Sequence, residues 1–182
     1  MVKSVERSTG NSLDIVPLGG LGEFGKNMMT YRMDDSMVVV DAGIMFPSPE
    51  HAGVDMVLPD TSYVDEHRKA LQGIVITHAH EDHIGALPYV AKRLGVPVYG
   101  TKLTIAMIRK RLDEHELLDD VELVEVTPGE SFSIGAFGVE LVNVTHSLAD
   151  AVAVVLETPF GKILHTGDFK WTTRHRSVRR SI

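Results

Sequence analysis

The stretch VITHAHEDHIGALP, residues 75–88, places four groups that can bind a metal ion within six residues. His78 and His80 are two residues apart, so in an extended segment their side chains project to the same side. Asp82 and His83 follow at the point where the next helix is expected to begin. Each histidine can offer one ring nitrogen to a metal ion and the other to a supporting group. The spacing therefore predicts one metal ion at His78 and His80 and a second at Asp82 and His83.

Two more residues that can bind a metal follow predicted strands later in the chain. His146, in VTHS, comes directly after a predicted strand at 139–144. Asp168, in LHTGDF, comes directly after a predicted strand at 162–165. Loops at strand ends are where α/β sheets place their binding sites. We therefore expect His146 and Asp168 to lie at the same rim as the histidine cluster.

The composition limits the class of protein. A chain of 182 residues with 43% hydrophobic and 24% charged residues is typical of one soluble globular domain with a real core. The chain has no cysteine, which excludes disulfides and thiolate metal ligands. No signal peptide or transmembrane stretch is evident, so we expect a cytoplasmic protein with no membrane partner. The net charge of -7 argues weakly against general nucleic-acid binding but says little about a local channel.

The hydrophobic patterns alternate between strands and helices. Residues 27–41 predict a β-hairpin, because apolar and polar residues alternate on both sides of the turn pair Asp34-Asp35. Helices are predicted at 62–71, 84–94 and 103–115. Further strands are predicted at 73–76, 96–99, 121–126, 131–134, 139–144, 151–157 and 162–165, with the last five forming a meander. This order predicts mixed sheets with helices packed outside them, an α/β layered architecture.

The glycine-rich stretch PLGGLGEFGKN, residues 17–27, fits two nucleotide-binding patterns. The P-loop pattern fails because its last position needs the hydroxyl of Ser or Thr, and Asn27 stands there. The dinucleotide pattern needs a helix between the glycines and the second strand, whereas residues 27–41 predict a hairpin. We therefore predict a structural glycine turn and no nucleotide cofactor. Asp41, which lies near where the dinucleotide pattern places a ribose-binding acid, must then have another role.

The pattern H-x-H-x-D-H, followed by a strand-end histidine and T-G-D, resembles the metallo-β-lactamase superfamily. The resemblance implies an α/β fold, the αββα sandwich, of which this chain would be an incomplete, N-terminal portion. It implies that three histidines hold one zinc ion, that an aspartate and a histidine hold the other, and that a second aspartate bridges the two. The three histidines are His78, His80 and His146. The aspartate and histidine of the other ion are Asp82 and His83, and the bridging aspartate is Asp168.

The resemblance also assigns roles beyond metal binding. Asp82, His83 and Asp168 would be catalytic, because the two carboxylates partly neutralise a pair of ions that otherwise repel each other. Asp41 matches an aspartate that orients the metal-binding loop. His165 precedes the T-G-D turn and either supports the ligands from outside the metal site or is a packed strand residue.

Longer blocks resemble one branch, the bacterial ribonuclease J family of the β-CASP group. These blocks are GGLGEFGKNM, VVVDAGIMFP, GVDMVLPD, THAHEDHIGALPYV, VPVYGT, VTHSLADAV and HTGDFK. The resemblance implies RNA as the partner, hydrolysis of phosphodiester bonds in RNA processing and decay, and 5′-to-3′ exonuclease activity with endonuclease capability. It also implies a homo-oligomer for the complete protein. Because imidazole and carboxylate ligands suit zinc and manganese alike, two Zn²⁺ ions are expected and Mn²⁺ stays open.

The chain departs from that family after the T-G-D motif. In the family the metallo-β-lactamase domain continues, is interrupted by the β-CASP domain and later supplies one more histidine ligand. We therefore expect a truncated form, with a flexible N-terminus at 1–12, the metallo-β-lactamase portion at 13–171 and a disordered basic tail at 172–182.

Two other functions remain open from the sequence. One is a small-molecule hydrolase of the glyoxalase II kind, which the histidine motif permits but the longer blocks disfavour. The other is a catalytically inactive metal-binding fragment. A true β-lactamase is disfavoured because no cysteine is available as the usual ligand of its second ion.

Overall fold

A computed structural model describes residues 12–49 and 52–171. The predicted basic tail and, except for Ser12, the predicted flexible N-terminus lie outside the described residues. No helix in the described part of the chain is long and apolar enough to cross a membrane.

Within the described residues, ten strands form two sheets. The first sheet has the order β1-β2-β3-β4-β5-β6, with the first three strands antiparallel and the last four parallel. Its strands are β1 Asp14–Gly19, β2 Met28–Met33, β3 Ser36–Val40, β4 Leu71–Val75, β5 Val98–Gly100 and β6 Leu123–Glu125. The second sheet is antiparallel, with the order β10-β9-β8-β7. Its strands are β7 Ser131–Ile134, β8 Phe137–Asn143, β9 Val152–Thr158 and β10 Gly161–His165.

The helices belong to one side of the first sheet. They are α1 Ser62–Glu66, α2 Glu81–Ile84, α3 Leu87–Leu94 and α4 Lys102–Asp113, with 3-10 turns at Arg68–Ala70 and Leu118–Asp120. Helix α3 begins with Pro88 in its first turn, where no backbone N–H is needed, and ends at Gly95 in the left-handed conformation. Its apolar residues Leu87, Val90 and Leu94 recur at helical spacing and are buried against the sheet.

Two hydrophobic cores hold the layers together. One lies between the helices and the first sheet and includes Ile74, Ile76 and Ile108. The other lies between the two sheets and includes Val38 and Phe137, with no helical residue among its buried members. Strand β3 is buried on both faces because it contributes to both cores. The described residues therefore form three layers, helices on a sheet on a sheet, in agreement with the prediction of an incomplete αββα sandwich.

The hairpin of β2 and β3 is confirmed, and no crossover helix follows the glycine stretch. Three other predictions were wrong. The helix at 62–71 ends at Glu66, because a 3-10 turn follows and Leu71 already begins β4. The helix predicted at 84–94 begins only at Leu87, as α3, because Ile84 is instead the last residue of the separate helix α2. The strand at 121–126 joins the first sheet rather than the meander, because α4 carries the chain across to lie parallel beside β5.

Candidate metal centre

The site lies where β3 and β4 of the first sheet end beside the loops that follow β8 and β10 of the second. His78, His80 and the residues of α2 follow β4, whereas His146 follows β8 and Asp168 follows β10. The backbone N–H of Val152 donates to the carbonyl of Thr77 at 3.0 Å, which ties the two sheets together at this point. The expected convergence at strand ends is therefore present, but across two sheets rather than along one.

Three histidine rings face one another through their nitrogens. His80 Nδ1 lies 3.0 Å from His78 Nε2 and 3.2 Å from His146 Nε2. Four-coordinate zinc with Zn–N bonds of about 2.0–2.1 Å would separate its nitrogen ligands by roughly 3.3–3.4 Å. The donor set and its spacing therefore fit a zinc-sized ion held by these three residues.

The protonation of His78 suits a metal ligand. Burial lowers the pKa of His78 to about 4, and the neighbouring His83 adds to this effect. The ring is therefore neutral near pH 7. Its Nδ1 lies 3.0 Å from Thr77 Oγ1, and because the Thr77 hydroxyl hydrogen is directed to Asp41, Nδ1 is the donor. This leaves the lone pair of Nε2 facing His80 and His146.

Asp168 lies between this cluster and His83. Its Oδ2 is 4.0 Å from His146 Nε2, and its Oδ1 is 3.7 Å from His83 Nε2. Asp82 Oδ2 lies 3.6 Å from the same nitrogen of His83. His78, His83 and Asp168 also form a second group whose ligand atoms lie within 4.8 Å of one another. The structure thus brings together all six residues that the sequence nominated as ligands.

Asp41 supports the metal-binding residues through its contacts with Thr77 and His83. Its carboxylate is buried and accepts hydrogen bonds from the backbone N–H and hydroxyl of Thr77 and from His83 Nδ1, the last at 2.7 Å. Burial alone would raise the pKa of Asp41, but His83 reverses this and holds it below its usual value. Burial alone would lower the pKa of His83, but Asp41 outweighs it and raises that pKa. His83 therefore carries a proton on Nδ1 and donates it in a hydrogen bond to Asp41, and Nε2 faces Asp82 and Asp168.

His165 lies behind Asp41, away from the ligand nitrogens. Its Nδ1 is 2.9 Å from the Tyr31 hydroxyl, and its Nε2 is 4.0 Å from Asp41 Oδ2. Burial lowers the pKa of His165 and raises that of Tyr31 to about 12, so both are neutral near pH 7. The role of His165 as a support for the ligands stays a prediction.

Two residues of this site, Thr77 and Asn27, are not indicated by the sequence patterns. Thr77 joins Asp41 to His78, and only its position directly before the histidine motif could have indicated it. The side-chain amide of Asn27 lies 3.0 Å from the Asp82 carbonyl and 3.2 Å from Asp82 Oδ2. In the sequence, Asn27 indicates only that the P-loop pattern fails at its last position.

Comparison with known proteins identifies the family. The sequence pattern of the metallo-beta-lactamase superfamily matches residues 21–180, most of the chain. The chain belongs to this superfamily.

Within the superfamily, the chain is similar to ribonucleases J. Ribonuclease J of Synechocystis sp. is 43% identical over 161 residues, covering 87% of this chain and 25% of that protein. Ribonuclease J of Helicobacter pylori is 45% identical over 160 residues, covering 87% and 23%. Ribonuclease J 2 of Staphylococcus aureus is 40% identical over 168 residues, covering 92% and 30%. The chain therefore spans about a quarter of the length of these curated relatives.

Two solved structures support the fold alone. The metallo-beta-lactamase fold protein YhfI from Bacillus subtilis has a TM-score of 0.61 at 14% identity, covering 87% of this chain and 63% of that one. A protein of unknown function from Enterococcus faecalis has a TM-score of 0.64 at 20% identity, covering 87% and 44%.

Proposed function

We propose that this chain is the metal-binding part of a ribonuclease J-type hydrolase, which cleaves phosphodiester bonds of RNA with two divalent metal ions. One observation supports the proposal above all. Three histidine nitrogens lie close together, and the carboxylate of Asp168 lies between them and His83. The similarity to ribonucleases J supports RNA as the substrate.

The ligands divide into two sets that share Asp168. His78, His80 and His146 would hold one ion, and Asp82 and His83 would hold the other. Asp168, with one oxygen toward each set, would bridge them. When bound, the ions would lower the pKa of a water molecule and neutralise charge on the phosphoryl oxygens.

The protein's own side chains prepare this site in two ways. Asp41 keeps a proton on His83 Nδ1, so that Nε2 can act as the ligand. The carboxylates of Asp82 and Asp168 offset part of the positive charge that would otherwise push two ions apart.

Several finer features belong to the same proposal. We propose Zn²⁺ as the ion, with Mn²⁺ the alternative, because imidazole and carboxylate ligands accept both. The family resemblance supports 5′-to-3′ exonuclease activity with endonuclease capability in the cytoplasm, and a homo-oligomeric complete protein. It also implies a fourth, histidine ligand for the second ion, which the family supplies beyond the T-G-D motif. We therefore expect this chain by itself to turn over RNA slowly.

The test compares RNA with a thioester under single-turnover conditions. The chain, in excess, is incubated with end-labelled 5′-monophosphorylated RNA or with a glutathione thioester, in Zn²⁺ or Mn²⁺. We expect slow, metal-dependent cleavage of RNA alone, which His146→Ala abolishes. The matched control, His115→Ala, replaces a histidine outside the site and should keep the activity.

Each other result selects a different function. Hydrolysis of the thioester with intact RNA would favour the glyoxalase II kind. No hydrolysis of either substrate by a chain with bound metal would leave a catalytically inactive metal-binding protein. Rapid multiple-turnover degradation of RNA by the pure chain would contradict the expected weakness of the second site.

A further inference from the structure

The side-chain amide of Asn27 is directed at one end of the site. Its Nδ2 lies 3.0 Å from the carbonyl oxygen of Asp82, 3.2 Å from Asp82 Oδ2 and 3.2 Å from His83 Nε2. The two Asp82 oxygens accept hydrogen bonds, which identifies this atom as the amide nitrogen, and His83 Nε2 accepts one when the ring is neutral with its proton on Nδ1. The Asn27 side chain therefore contacts both Asp82 and His83, which with Asp168 would hold the second ion.

The backbone of Asn27 is fixed to the same segment. Its N–H donates to the Asp82 carbonyl at 3.1 Å, and its own carbonyl accepts from Gly43 N–H at 3.0 Å. Gly43 in turn packs so closely on Asp82 that an added Cβ would lie 1.5 Å from that carbonyl oxygen. Three backbone segments, at Asn27, Gly43 and Asp82, are thus locked to one another, and the Asn27 amide has a defined direction.

The glycine turn at 19–26 brings Asn27 to this place. A Cβ on Gly19 would lie 2.1 Å from the Lys26 carbonyl oxygen, and a Cβ on Gly20 would lie 2.5 Å from Asn27 Oδ1. Gly20 and Gly25 have φ values of 84° and 93°, which residues with a side chain rarely adopt. The loop therefore folds back on itself only because these positions are glycine, and its return delivers Asn27 beside Asp82.

The hydrogen-bond count fits a site that takes a metal ion. With the His83 ring neutral, the amide has two hydrogens and three acceptors within reach, so one acceptor is in excess. An ion on His83 Nε2 would remove that acceptor and leave the two amide hydrogens for the backbone carbonyl oxygen and Oδ2 of Asp82. The amide can thus keep Asp82 oriented both before and after an ion binds.

From these contacts we propose that Asn27 is a positioning residue for the second metal ion. It acts through Asp82, and the glycine turn serves to present it. This inference rests on the proposed function, since it assumes the metal-binding roles of Asp82 and His83.

The test is a double-mutant cycle on Mn²⁺ binding, with free Mn²⁺ measured by EPR so that weakly bound ions are also counted. We expect Asn27→Ala to weaken the second ion by about 10- to 100-fold, the range for residues that orient ligands, and to spare the first ion. In an Asp82→Ala background the same change should cause no further loss, because Asn27 acts through Asp82. The control Asn143→Ala, on an exposed strand residue, should bind like the wild type.

The outcomes separate this inference from the proposed function. An equal loss in both backgrounds would show a general structural role and overturn the inference. So would an unchanged second ion in Asn27→Ala, or a wild-type chain that binds only one ion. A chain that binds no ion would overturn the proposed function as well.

A measurement on the wild type covers the case in which Asn27→Ala fails to fold. Asparagine occurs only at positions 11, 27 and 143, so ¹⁵N-asparagine labelling gives a simple spectrum, in which Asn143→Ala assigns one signal. We expect the Asn27 side-chain signals to shift as Zn²⁺ fills the second site, while those of Asn143 stay in place. Asn27 signals that do not respond to saturating Zn²⁺ would overturn the inference.

Discussion

Asp41 is a buried carboxylate that serves the site through its neighbours. Its backbone is left-handed, with φ of 63°, which costs a residue with a side chain on the order of 1–3 kcal/mol. Hydrogen bonds to a charged group contribute about 1.5–3 kcal/mol each, and Asp41 accepts from both Thr77 and His83. The hydrogen bonds therefore outweigh the strain, and the turned backbone aims the carboxylate at the histidine loop rather than at solvent.

Changing Asp41 to Asn should weaken metal binding. The amide cannot accept at both positions, so an N–H would face either Thr77 or the Nδ1 proton of His83. We expect affinity for Zn²⁺ to fall about 10- to 100-fold by calorimetry. Asp35→Asn, in the exposed hairpin turn, is the control and should have no effect.

The same calorimetry tests the interpretation of the glycine stretch as a nucleotide-binding loop. Addition of ATP or NAD should give no binding heat with either the wild type or Asp41→Asn. A measurable affinity for either nucleotide would revive the idea that Asp41 binds a ribose.

The ligand residues were predictable because their pattern is local, whereas their supports were not. His78 and His80 share a side simply because they are two residues apart in an extended segment. Asn27 meets Asp82 across 55 residues of sequence, and no periodicity encodes such a contact. A single polar residue after a glycine turn is too common a feature to indicate its partner.

At the scale of elements, the site depends on how closely the segment after β3 packs on α2. Gly43 is buried, and its backbone touches Asp82 and His83. Ala42 N–H donates to the His83 carbonyl, and Ile44 N–H donates to the Glu81 carbonyl. Helix α2 is a single turn of four residues, so these contacts rather than its own hydrogen bonds hold it in place.

Gly43→Ala should therefore damage the fold and the site together. The new methyl group would overlap the Asp82 backbone, which cannot yield as a side-chain end could. We expect a loss of about 1–3 kcal/mol in the free energy of unfolding, or more, by urea denaturation, together with weaker Zn²⁺ binding. Gly138→Ala, whose methyl group would meet only the Glu157 side chain, is the control. Equal stability of the two variants would contradict the close packing.

Element types were easier to predict than element partners. The hairpin of β2 and β3 was visible because apolar residues alternate on both sides of a two-residue turn. The strand at 121–126 was recognised, but a short apolar run does not say which sheet it joins. The break between α2 and α3 could not be predicted because the apolar residues of 84–94 continue across it at helical spacing.

The outer face of the second sheet carries apolar residues among charged ones such as Glu140 and Lys162. Val142, Ala153, Val155 and Leu164 lie on this face, and Leu164 is 60% exposed on the edge strand β10. An edge strand with exposed apolar side chains favours pairing between molecules.

We expect the 182-residue chain to self-associate as its concentration rises. Leu164→Lys should shift sedimentation-velocity profiles toward the monomer, because a charge on the edge strand opposes pairing. Leu103→Lys, at an exposed position of α4, is the control and should associate like the wild type. A wild-type chain that stays monomeric at all concentrations would contradict this expectation.

If the histidine cluster is a metal centre, removing its histidines should remove bound metal from the protein. Wild type, a His78→Ala, His80→Ala double variant and a His67→Ala, His115→Ala control are loaded with Zn²⁺, separated from free ions and analysed for bound metal. Because His78 and His80 supply two of the three clustered nitrogens, the first double variant should lose its Zn²⁺. The control should keep the wild-type content, since its histidines lie outside the cluster. Equal zinc in all three proteins would contradict the account.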